Sequence, residues 1–185
     1  KGDQNEREVK TIAIVVSSVL NPTLTQMIKG AQIVLRQHGY ATLIFDSDGK
    51  PEEEIRFLKD LRETKALGLI ISSPNFNTDH VVALRRLGLP YIFAFGYSSE
   101  PDVACVYINN VEASFSVVQK LFQLGHRDIA IISGPSEDST ISRERLQGAR
   151  LAYMAKMKEL DETAVIEGDY TIEAGYQGAL TILNE

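Results

Sequence analysis

Apolar runs that read as buried strands alternate with segments whose apolar residues recur every three or four positions. TIAIVVS (11–17) is the first such run, and unbroken apolar character marks a strand covered on both faces. In NPTLTQMIKGAQIVLRQHG, which follows, Leu24, Met27, Ile28, Ala31, Val34 and Leu35 recur at helical spacing. Asn21 is placed to cap that helix, Pro22 fits its first turn and Gly39 ends it. ATLIFDS (41–47) is the next strand. PEEEIRFLKDLRET then opens with Pro51 and three glutamates, a charge that suits a helix start, and carries Ile55, Leu58 and Leu61.

The alternation continues. LGLIISS (67–73), PYIFAF (90–95), VACVYI (103–108), DIAIIS (128–133) and AVIEGDY (164–170) read as strands. DHVVALRRLG, VEASFSVVQKLFQLG (111–125), residues 142–157 and IEAGYQGALTIL read as helices. Such alternation with continuous apolar strands predicts an α/β fold: a doubly wound parallel sheet with right-handed crossovers. Ligands of such sheets bind beyond the carboxyl ends of strands, where the strand order reverses. Four stretches qualify: SSVLNPT (17–23), DSDGK (46–50), SSPNFN (72–77) and GPSEDST (134–140). A helix running to Glu185 has no following strand to complete a second sheet. The sequence therefore reads as cut short: a charged segment 1–10, an N-terminal α/β subdomain 11–133 and a partial C-terminal subdomain 134–185.

Charge narrows the functional classes. Lys plus Arg is 19 against 25 Asp plus Glu, a net charge of −6. That is no basic footprint for gripping phosphate backbones, so any DNA-binding part is expected elsewhere. The single cysteine, Cys105, lies in VACVYI and reads as a small core residue. The opening KGDQNEREVK is charged, no secretory signal is read there, and no apolar run approaches the length of a membrane span. A cytoplasmic location without membrane contact is the expectation.

Catalytic signatures are missing. There is no GxxxxGK[ST], GxGxxG or GxSxG, and no HExxH spacing. We expect a binding protein without catalytic residues, metal or cofactor. His126 in LGHRD reads as part of a helix end at Gly125, while His38 and His80 read as surface residues near helix termini. Glu52–Glu54 reads as a solvated helix start, and Asp46 and Asp48 as turn residues. In STISRERLQG (139–148), the helical stripe Leu146, Ala149, Tyr153 and Met157 leaves Arg143 and Arg145 on opposite flanks. Periodicity allows one of them to face a ligand and does not choose which.

Several stretches resemble one family, in order. KTIAIVVSSVLNPTLTQMIKGAQ resembles the first strand and helix of the LacI/GalR transcriptional regulators. LGHRDIAIISGP resembles their strand entry and Gly-Pro crossover. Ser142, Arg145 and Gly148 fit their Ser-x-x-Arg-x-x-Gly pattern, and EGDYTIEAGY (167–176) their Gly-Asp-aromatic stretch. The resemblance implies a periplasmic-binding-protein-like fold of type I, covering the first subdomain and part of the second. It implies a homodimer that binds operator DNA through a helix-turn-helix absent from this chain. A small-molecule effector, a sugar or sugar derivative, would close the two subdomains and change DNA affinity.

Carried over residue by residue, Arg145 is the arginine that hydrogen-bonds sugar hydroxyls, and Tyr170 the aromatic that stacks on a sugar face. Asn21, Ser17 and Thr23 fall at the ligand end of the first strand. Asn109 stands where relatives usually carry Asp, beside the cleft; Arg143 stays a surface residue. Two departures stand out. Thr23 and Leu24 follow Asn-Pro where relatives often have aromatics, and Phe95-Gly96 replaces a common Asp-Arg after the fourth strand. The alternative reading is a periplasmic sugar-binding protein of a transport system, which shares the fold; LGHRDIAIISGP favours the regulator.

Overall fold

The computed structural model describes residues 9–98, 100–135 and 139–184. Residues 1–8 of the charged opening segment and 136–138 of GPSEDST lie outside the described residues. Two compact units are formed, 1–107 and 108–185.

In the first unit, β1 (Thr11–Val16) pairs with β2 (Ala41–Asp46) on one side and β3 (Ala66–Ser72) on the other. β4 (Tyr91–Ala94) and β5 (Ala104–Val106) extend the sheet to the order β2-β1-β3-β4-β5, with every pair parallel. β1 is thus interior, and Ala13 to Val16 are fully buried, which is why its sequence shows no polar alternation. Its side chains still divide by face. Ile14 and Val16 pack with Leu24 and Ile28 of α1 (Pro22–Gln37). Ala13 and Val15 join a larger cluster with Leu58 of α2 (Pro51–Asp60) and Leu84 and Leu87 of α3 (Thr78–Leu87). One helix on one face and two on the other make the sheet doubly wound, as expected. Each large apolar side chain removed from water here contributes roughly 1.5–3 kcal/mol.

The helix starts follow from short side chains. Asn21 Oδ1 accepts the Thr23 and Leu24 N–H groups at 2.9 and 3.5 Å. Asn77 Oδ1 accepts from Asp79 and His80 at 3.0 and 3.3 Å. Gly88, at φ +71°, ends α3 in the left-handed conformation that glycine adopts without a β-carbon penalty.

Two expectations are corrected. Glu54 and His80 are not surface residues; both are fully buried. His80 Nε2 lies 2.8 Å from Glu54 Oε2, and the Ser47 hydroxyl donates to Glu54 Oε1 at 2.8 Å. The cause is periodicity. Glu54, Leu58 and Leu61 stand at i, i+4 and i+7, as do His80, Leu84 and Leu87, so each polar residue heads a buried stripe. The two helices pack side by side and the polar heads meet. Phe76 stacks on His80 at 5.2 Å between ring centres, closing the pair off from water.

The second correction concerns the boundary expected at 133/134. β6 (Ile131–Ser133) does not join the five-stranded sheet; it pairs in parallel with β7 (Val165–Glu167). α4 (Asn110–Gln123) packs on α5 (Thr140–Met154), with Val118 and Phe122 against Ala149, Ala152 and Tyr153. The second unit therefore begins at Ile108 and contains α4, β6, α5, β7 and α6 (Ile172–Asn184). Each of these strands is three residues long, shorter than the runs 128–133 and 164–170, and Tyr170 lies beyond β7 at φ +64°.

Glu54→Ala should lower unfolding free energy by about 3 kcal/mol or more, since it strands a buried imidazole. Glu54→Leu combined with His80→Leu should recover much of that loss. Urea unfolding, followed by hydrogen exchange in β1, measures both.

Candidate functional site

The strand order reverses between β1 and β3, and the residues beyond the carboxyl end of β1 gather there. Ser17 is half-buried directly after β1. Asn21 is exposed with its Oδ1 committed to the cap, leaving only its NH2 group for a ligand. Thr23 is exposed on the first turn of α1, whereas Leu24 turns into the core at 6% exposure. Asp46, at the end of β2, ties this loop down by accepting the Val19 N–H at 2.9 Å and the Asp48 N–H at 3.1 Å. The turn role expected of Asp46 and Asp48 is the observed one.

The second unit holds a cavity of about 300 Å3. Its walls are the carboxyl ends of β6 and β7, the start of α6 and one flank of α5. Ser133 and Gly134, Gly168, Tyr170 and Thr171, and Arg145 line it, with Ser114 of α4. Arg145 and Tyr170 are thus brought to one site. Arg143 does not line it; its guanidinium donates to Thr140 Oγ1 at 2.9 Å. Of the two arginines, Arg145 is the one that lines the cavity.

Each residue of Ser142-x-x-Arg145-x-x-Gly148 has a separate task. The buried Ser142 hydroxyl lies 2.5 Å from Tyr170 Oη and fixes the phenol. Gly134 leaves space for the ring: a β-carbon there would stand 2.0 Å from Tyr170 Cζ. Gly148 lets α5 approach α4, since a β-carbon there would stand 2.2 Å from the Val111 carbonyl oxygen. Arg145, between them, donates its Nε–H to Asn110 Oδ1 at 3.1 Å, which leaves its terminal nitrogens for a ligand.

Asn110 is the residue that sequence reasoning missed. It is 7% exposed. Its carbonyl faces Arg145, and its NH2 donates to Glu144 Oε2 at 3.0 Å and to the Ile108 carbonyl at 3.2 Å. The amide orientation follows from chemistry, because a carboxylate only accepts and a guanidinium only donates. Its neighbour Asn109, the predicted site residue, is exposed and caps α4, accepting the Glu112 N–H at 3.1 Å. The signal was there: in an Asn-Asn pair opening a helix, one residue caps and the next turns inward. His126 ends α4 through its backbone, donating N–H to the Leu121 carbonyl at 3.1 Å beyond Gly125 at φ +95°.

Tyr170 owes its left-handed backbone to an Asp-anchored turn. Asp169 Oδ1 accepts the Thr171 hydroxyl at 2.6 Å and the Thr171 N–H at 3.1 Å. These bonds, the hydroxyl first, hold the Asp169 carboxyl below its ordinary value of 3.8. Among the described residues, no group of three or more His, Cys, Asp or Glu could hold a metal, and no helix is long and apolar enough to cross a membrane.

Over residues 9–185 the chain matches the family described as periplasmic binding proteins and sugar binding domain of LacI family, and it belongs to that family. It is 29% identical over 178 residues to the HTH-type transcriptional repressor CytR of Escherichia coli (strain K12), covering 96% of this chain and 52% of CytR. It is 24% identical over 179 residues to Catabolite control protein A of Priestia megaterium, covering 97% of this chain and 54% of that protein. A solved transcriptional regulator CelR–cellobiose complex superposes with a TM-score of 0.80 at 29% identity, covering 96% of this chain and 56% of that one. The chain spans about half the length of the curated relatives it matches. The parallel α/β fold expected from the sequence is the one observed, and these relatives are bacterial transcriptional regulators.

Gly148→Ala should destabilise the second unit by about 1–3 kcal/mol, because the added carbon meets backbone; thermal unfolding reads the loss. Acid should loosen the Tyr170 turn. The folded Asp169 carboxyl titrates below its unfolded value, so its contribution is present above about pH 4 and is lost as pH falls through the lowered folded value. Nuclear magnetic resonance of Tyr170 should be unchanged from pH 7 to 5 and shift below pH 4.

Proposed function

We propose that this chain is the effector-binding core of a LacI-type transcriptional regulator. The observation that carries the reading is the convergence of Arg145 and Tyr170 on one cavity of about 300 Å3, in a family of sugar-binding domains. A guanidinium supplies paired, rigid donors suited to neighbouring oxygens. An exposed aromatic face beside it covers the apolar side of a sugar ring. Asn21, Ser17 and Thr23 are polar residues at the carboxyl end of the first unit's β1, where a ligand of such a sheet is expected, and Asn109 serves as the α4 cap beside Asn110. The task is binding rather than catalysis, and the effector is a sugar or sugar derivative.

The regulator is a cytoplasmic homodimer that binds operator DNA through a helix-turn-helix belonging to the whole protein. Similarity to regulators over 96–97% of this chain supports this reading over a transport receptor. Regulation is a population shift: an effector changes DNA affinity only by binding the two states with different affinity, and operator DNA must alter effector affinity by the same factor.

The test is a thermal-shift screen of the intact protein against mono- and disaccharides, sugar acids and sugar phosphates, repeated with Arg145→Ala. A hit should raise the Tm, alter retention of operator DNA, and bind the variant at least about tenfold more weakly. A variant that is folded and binds the hit as tightly as the parent would show that Arg145 is a solvated surface residue.

A further inference from the structure

The hydrogen-bonding inventory of the second unit's cavity is one-sided. Of its twelve described lining residues, Arg145 is the only charged one, and none is Asp, Glu, Asn or Gln. Arg145 makes no ion pair among the described residues; its single hydrogen bond is to the neutral amide of Asn110. The nearest acidic residue in sequence, Glu144, is held by the opposite end of that amide, through Asn110 Nδ2 at 3.0 Å. Asn110 thus bridges the two side chains, its carbonyl on the guanidinium and its NH2 on the carboxylate, while Arg145 lines the cavity.

The hydroxyls add to the bias. The Thr171 hydroxyl is occupied, donating to Asp169 Oδ1 at 2.6 Å and accepting the Ala174 N–H at 3.1 Å. Ser142 and Tyr170 are bonded to each other. The side chains of Ser114 and Ser133 line the cavity and make no hydrogen bond to another described residue. Among the described lining residues, the side-chain groups that make no hydrogen bond within the protein are the Arg145 terminal N–H groups and two serine hydroxyls. All can donate, and none of the described lining side chains is an obligate acceptor. The serine hydroxyls can accept from a neutral sugar as well as donate to it, so the bias comes from the guanidinium, the one charged group among the described lining residues. An anionic oxygen group only accepts, and charge-assisted bonds to it are about twice as strong as neutral ones.

We infer that the effector carries an anionic oxygen group, a phosphate or a carboxylate, seated on Arg145, Ser114 and Ser133. The natural ligand class is a phosphorylated sugar or a sugar acid. The inference rests on the proposed effector-binding function and specifies its ligand.

Isothermal titration of the intact protein with inorganic phosphate, hexose phosphates, hexonates and the parent neutral hexoses tests it. At least one anionic probe should bind about tenfold or more tighter than its neutral parent, and its affinity should fall with added salt. Asn110→Asp combined with Glu144→Gln, which sets a carboxylate against Arg145 while keeping a donor opposite the other oxygen, should weaken anionic probes several-fold more than neutral ones. Arg145→Lys should keep part of the preference and Arg145→Gln should lose it, with each variant's fold checked by circular dichroism. Inorganic phosphate binding as tightly as the sugar phosphates supports the inference with the free anion as ligand; a phosphate or hexonate bound more tightly supports it with the sugar attached. Neutral hexoses binding as well as their anionic forms overturns the inference and leaves the sugar-binding function standing. No binding by any probe overturns both.

Discussion

At Gly148 the backbone of α5 comes so close to the Val111 carbonyl of α4 that a β-carbon would stand 2.2 Å from it. That approach organises the second unit. It brings Asn110, at the start of α4, within 3.1 Å of Arg145 on α5, and lets Ala149, Ala152 and Tyr153 close over Val118 and Phe122. With the two helices locked, Arg145 is held at the Nε end by a buried amide, so its terminal nitrogens are aimed rather than free to sweep. Preorganisation of this kind reduces the side-chain entropy lost on binding. One turn earlier, Ser142 fixes Tyr170 by its hydroxyl. Three residues spaced by three on one helix thus set a contact, a charge and an aromatic ring.

The first unit builds its ligand end differently. The apolar faces of α2 and α3 each begin with a polar residue, and Glu54 and His80 meet beneath the loops that follow β2 and β3. Ser47, the first residue after β2, donates to Glu54. The loops at the carboxyl ends are therefore anchored from below by a hydrogen-bonded polar pair, while Asn21 anchors the loop after β1 from its helix side. Buried polar networks of this sort fix geometry when every member is satisfied.

Much of this was legible in the sequence, and the limits have physical causes. β1 and α1 were readable because an interior parallel strand is apolar throughout and because Asn-Pro caps a helix by local geometry alone. Periodicity alone offered Arg145 only as one of two, since it placed both arginines beside the buried stripe; the Ser-x-x-Arg-x-x-Gly resemblance chose it, and its contact with Asn110 is tertiary. The burial of Glu54 and His80 was present as i, i+4, i+7 spacing with leucines, yet charge masked it. Strand sequence does not say which sheet a strand joins, so the apolar run 128–133 carries no sign that β6 pairs with β7 in the second unit. Asn110 was hidden behind Asn109, because capping and inward packing call for the same side chain at adjacent positions.

The most direct measurement is the nitrogen-15 resonance of the Arg145 guanidinium, followed with the Tyr170 ring signals while a bound effector is titrated into the intact protein. If this cavity is the effector site, both sets of signals move together and saturate at the dissociation constant measured by calorimetry. Signals that stay in place while the effector saturates the protein would put binding elsewhere and contradict the central claim.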